Sequence, residues 1–98
     1  MASWAEHAIR ELSQGHATTV KPHGTSMLPT IQSGEVSRLQ PVRAIGELAP
    51  GAIVLCKVKG LIYLHKVIAI QGERVLIGNN RGHLNGWTHI SNVYGVRY

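Results

Sequence analysis

The sequence predicts a mostly β fold, a compact antiparallel β domain with one short N-terminal helix. Three observations lead there. Apolar residues recur at helical spacing only once, before Gly15. Beyond Gly15 the apolar runs are short and β-prone, and clusters of Gly, Pro, Asn or Ser separate them. The 98 residues suffice for one modest core, with a helical segment at 1–15 and a β domain at 16–98.

Ser3-Trp4-Ala5-Glu6 has the form of a capping box, in which the Ser3 hydroxyl accepts from an early helix amide and Glu6 reaches back. Trp4, Ala5, Ala8, Ile9 and Leu12 then make an apolar stripe, so a helix is expected over about residues 4–14. Residues 17–21 alternate as a strand. Gln32-Ser33-Gly34-Glu35 is a turn, and residues 36–42 form a strand with a kink or edge at Pro41. Gly46, Pro50 and Gly51 mark 45–51 as a loop. Residues 52–58 and 61–70 flank Lys59-Gly60 and read as a hairpin. A short strand at 74–77, a Gly- and Asn-rich loop at 78–82 and a closing strand at 93–97 complete the pattern.

Composition narrows the chemistry. All five acidic residues are glutamates, so any mechanism that needs an aspartate is excluded. Ten Lys and Arg leave a net charge of +5, but they are scattered, and no specific nucleic-acid binding is expected. The lone Cys56 cannot form an intrachain disulfide and lies among Val54, Leu55 and Val58, where a buried thiol is inert. No apolar run approaches the ~18 residues of a membrane span. Glu6, His7, Arg10 and Glu11 break up what would be a signal peptide's apolar region, so the chain as given reads as soluble, in a compartment left open.

The candidate chemistry centres on Gly24-Thr25-Ser26-Met27-Leu28-Pro29-Thr30. Gly24 permits backbone conformations closed to other residues, and Pro22 and Pro29 stiffen the flanks. Ser26 is thus presented on a short loop as a candidate nucleophile, and it requires a base. Two adjacent candidates, His65 and Lys66, lie on the 61–70 strand. Side chains alternate there, so only one of the two can face the serine. His23, His83 and His89 have no recognised ligand spacing, and no metal or other cofactor is expected.

Taken in order, Gly24-Thr25-Ser26-Met27-Leu28-Pro29-Thr30, Gly34-Glu35-Val36, Pro50-Gly51-Ala52-Ile53-Val54, His65-Lys66-Val67-Ile68 and Gly78-Asn79-Asn80 resemble the boxes of type I signal peptidases. The related self-cleaving domains of LexA-type repressors share much of this pattern, which covers nearly all of residues 17–98. The resemblance implies an all-β peptidase domain, with Ser26 as the acyl-forming nucleophile and His65 as the general base. Lys66 takes the place of the Arg that follows the base in the family and is the alternative base. It also implies the Ser26 amide as an oxyanion donor. Many relatives add a hydroxyl where Gly24 stands, a role open to Thr25. Shallow apolar pockets lined partly by Met27 and Leu28 would take small substrate side chains.

The chain departs from the family at three points. The aspartate of the Gly-Asp-Asn box is Asn79, and the acidic position that follows falls at Asn85. His65 would then be oriented by Asn79, Asn85, a backbone carbonyl or a Glu. The membrane anchor of signal peptidases is also missing, which allows a soluble relative, a trimmed one or a subunit docking to a membrane-associated partner. The expected function is a serine endopeptidase acting on a precursor polypeptide. The alternative is a catalytically degraded peptide-binding module of the same fold.

Overall fold

The computed structural model describes residues 4–98. Ser3, and with it the expected capping box, lies outside the described residues. The helix α1 spans Glu6–Ser13, after Ala5 at its N-cap. Seven strands follow: β1 (Thr18–Val20), β2 (Ser37–Pro41), β3 (Ile53–Val58), β4 (Leu61–Gln71), β5 (Arg74–Gly78), β6 (Leu84–His89) and β7 (Val93–Arg97). They form one antiparallel sheet in the order β1-β2-β7-β3-β4-β5-β6.

The β3–β4 hairpin closes on Lys59 and Gly60, both at positive φ (52° and 82°). That is the turn whose twist matches a two-residue hairpin, and it fixes the register that pairs Val54 with His65 and Val58 with Leu61. One strand, β6, was not expected. Gly86 and the polar Asn85, Thr88 and His89 conceal its alternation, yet β6 pairs along β5 from Arg74↔His89 to Gly78↔Leu84. The Thr88 hydroxyl also donates to the Lys57 carbonyl, tying β6 to β3.

Alternation sorts the core onto two faces. Leu39, Leu55 and Leu64 pack with Ala8 and Leu12 of α1 and with Val20, Met27 and Ile31. Val54, Cys56, Val58, Val67, Val75 and Ile77 form the opposite cluster. Cys56 is fully buried there, and desolvation pushes its thiol up to about 12, so it holds its proton at neutral pH.

The helix stops at Gly15 (φ 85°), where the Gly15 and His16 amides donate to the Leu12 and Glu11 carbonyls. It rests on β7 at Gly95, where an added Cβ would lie 2.8 Å from Leu12 and 3.1 Å from the Gln40 carbonyl oxygen. A Gly95→Ala variant is expected to lose about 1–3 kcal/mol, the usual scale of overpacking. Urea unfolding measures this directly, and unchanged stability would mean that α1 moves off β7 without cost.

Candidate active site

The connection between β1 and β2 carries Ser26 and is closed on itself. The Gly34 amide donates to the Pro22 carbonyl at 2.8 Å, and the Gly24 amide to the Ser33 hydroxyl at 3.0 Å. Gly24 has φ 123°, with nothing within 4 Å of the place a Cβ would take, so its glycine is needed for conformation rather than room. The buried side chains of Met27 and Ile31 anchor the turn that follows. Glu35 accepts from the Gln32 amide with one oxygen and meets the Arg97 guanidinium at 2.9 Å with the other, holding the loop's exit against β7.

This loop brings the Ser26 Oγ to 3.1 Å from Nε2 of His65. The other ring nitrogen of His65, Nδ1, lies 2.7 Å from Oδ1 of Asn85 on β6. An amide oxygen can only accept, so Nδ1 carries the hydrogen and donates to it. Nε2 is left with a free lone pair, to which the serine hydroxyl donates. The three side chains therefore form a directed line, Ser26 to His65 to Asn85. The ring of Tyr63 stacks on the His65 ring with centroids 4.9 Å apart and restrains its tilt.

His65 is only 7% exposed. Burial holds it below the usual 6.5. The hydrogen bond to Asn85 partly opposes that shift, and the charge His83 can carry adds to it. Its imidazole is thus neutral at physiological pH, the state a proton acceptor needs.

The dyad opens onto a groove of about 540 Å³, walled by the serine loop, β4 and the start of β6. Four successive β4 residues, Ile62 to His65, border it. A strand that presented one face would contribute every second residue, so β4 meets the groove along its edge. The register agrees, since β3 pairs with the whole 61–65 stretch while β5 joins on the other side only from Lys66 onward. Trp4 and Ile31 add apolar surface, and among the described residues no carboxylate lines the groove.

The expected residues separate here. Ser26, His65 and Asn85 come together. Lys66 pairs with Ile53 and Gly78 and does not line the groove, and it is His65 that bonds Ser26, so Lys66 is not placed to act as the base. Asn79 does not orient His65. Its Oδ1 accepts from the Arg81 and His83 amides, the local turn a short amide side chain favours. The exposed Thr25 hydroxyl accepts from the Arg81 guanidinium at 2.8 Å, and Thr25 does not line the groove. Met27 lines the groove from the core, whereas Leu28 is half-buried and does not line it. Trp4 and His83 line the groove but were not read as site residues, because neither lies in a motif with Ser26. His89 sits apart, against Ser91 and Glu73. Among the described residues no group of three His, Cys or Glu side chains is placed to hold a metal ion. Likewise, no helix is long and apolar enough to cross a membrane. Comparison with family models, curated proteins and solved structures finds no match to this chain.

Because the folded state disfavours imidazolium, His65 is expected to titrate below 6.5 when its ring protons are followed by NMR. The unfolded chain then takes up the proton first. The contribution of His65 to stability is therefore intact above about pH 6.5 and is lost as the pH falls towards its folded value. A midpoint above 6.5 would contradict this environment.

Proposed function

We propose that the protein is a serine endopeptidase of signal-peptidase type, cutting a precursor polypeptide through an acyl-enzyme formed on Ser26. The observation that carries this reading is the line of hydrogen bonds from Ser26 through His65 to Asn85 at the floor of an open groove. A serine hydroxyl is a weak nucleophile until a base takes its proton, and a neutral, oriented imidazole is that base.

The substrate lies extended beside β4, its backbone pairing with the free 61–65 edge as an added strand. Ser26 Oγ attacks the scissile carbonyl carbon while its proton passes to His65 Nε2. Among the described residues the Ser26 amide has no acceptor, so it is available to the oxyanion. The imidazolium returns the proton to the leaving amine as the C–N bond breaks. Water, deprotonated by the same nitrogen, then attacks the ester, and Ser26 regains its hydrogen. The resemblance to signal peptidases supports small side chains beside the cut and leaves room for a membrane-associated partner.

Asn85 differs from a carboxylate in one respect. It holds the same tautomer but offers no negative charge to the imidazolium that forms in the transition state. That favours a slow enzyme, and it is the one observation supporting the second reading, a module that binds peptides without cutting them.

Incubation with a degenerate peptide mixture, followed by mass spectrometry of the products, tests the proposal. Cleavage is expected in the wild type and a drop of about 10⁴-fold or more in Ser26→Ala and His65→Ala, as when members of a catalytic unit are removed. Saturable binding with no products, unaffected by Ser26→Ala, would establish the binding module instead. In Asn85→Asp, a carboxylate behind His65 should raise both its pKa and the turnover. The expected gain is about tenfold for each unit by which the imidazolium is stabilised. Turnover equal to wild type would show that the charge at this position does not matter.

A further inference from the structure

Asn80 makes three hydrogen bonds across the groove wall, all to the loop that carries the serine. Its amide donates to the Ser26 carbonyl at 3.0 Å. Its side-chain Nδ2 donates to the Met27 carbonyl at 3.0 Å and to the Thr30 hydroxyl at 2.9 Å. These contacts join residues 50 or more positions apart, between the β1–β2 and β5–β6 connections. The β5–β6 connection is itself rigid at its start. Asn79 ties its own loop, and Gly78 is packed so closely that a Cβ there would meet the His83 carbonyl oxygen and the Ile68 side chain at 3.0 Å. On the far side of the connection stands Asn85, which orients His65.

We infer that Asn80 is a positioning residue that sets the separation between Ser26 and His65. One connection thus holds both members of the dyad, the serine through Asn80 and the histidine through Asn85. The inference rests on the peptidase reading for its catalytic consequence, but the geometric claim stands without it. Asn80 touches neither substrate nor the reacting atoms; it acts through the Ser26 and Met27 carbonyls.

Asn80→Asp tests this, because it keeps the size of the side chain and replaces the Nδ2 donor with a second acceptor facing the Met27 carbonyl and the Thr30 hydroxyl. Two measurements keep the inference separate from the proposed activity. The first needs no turnover: the Nε2 nitrogen shift of His65 should move towards the value in Ser26→Ala, where the serine hydrogen bond is gone. The second is the labelling of Ser26 by an alkyl fluorophosphonate. It should fall by about 10²-fold, the scale of an ångström's misplacement, while the pH at which labelling is half-maximal stays that of the wild type.

A residue that only supported the fold would lower the melting temperature and leave the labelling rate of folded protein and the His65 Nε2 shift unchanged. That result would overturn the inference. If wild type resists the probe, the peptidase reading fails, and the Nε2 shift alone decides whether Asn80 places the serine.

Discussion

The arrangement depends on one contact between residues 39 positions apart, the 3.1 Å hydrogen bond of Ser26 to His65. Neither partner is placed by its own neighbours alone. His65 is fixed by the register of a hairpin whose turn, Lys59-Gly60, lies at the other end of the strand. Ser26 is fixed by a loop that closes through Gly34 and Gly24 and buries Met27 and Ile31. The sheet order brings the two together, and the β5–β6 connection holds them there. The buried imidazole is tolerated because both of its ring nitrogens have partners, which an isolated one would lack.

The absence of aspartate shapes the electrostatics of the site. In many serine hydrolases a carboxylate orients the histidine and also stabilises its cation. Here Asn85 performs only the first task. His65 is correspondingly held low by burial, which makes it a weaker base and its conjugate acid a stronger proton donor. In the proposed peptidase reaction this makes attack on the carbonyl harder and departure of the amine easier. Among the described residues no carboxylate lines the groove to compensate.

Much of the fold was legible in the sequence because its signals are local. The helical stripe ending at Gly15, the Lys59-Gly60 hairpin and the short runs between turn residues each report on their own segment. β6 was not legible. Gly86 and the polar residues around it carry no period, and the strand exists because the β5 edge accepts it. The same distinction governs the site. Ser26 could be read from its loop, and His65 together with Lys66 from alternation, although alternation could not say which of the two faces the serine. That choice is made by which edge of β4 the serine loop reaches. Asn79 and Asn85 were equivalent as orienting residues until their distances were known. Asn80 stood in the Gly78-Asn79-Asn80 box, but its role did not show there, because a side chain that bonds the Met27 carbonyl and the Thr30 hydroxyl 50 or more positions away leaves no pattern in sequence.

The proposed mechanism requires that Ser26 form a covalent acyl intermediate with His65 as its base. Rapid acid quench of the protein with a cleavable peptide, followed by intact mass and peptide mapping, measures that intermediate directly. A mass increase equal to the acyl portion of the peptide, located on Ser26, is expected in wild type and is expected to be absent in His65→Ala. Products released with no adduct on Ser26, or an adduct that forms as fast without His65, would contradict it.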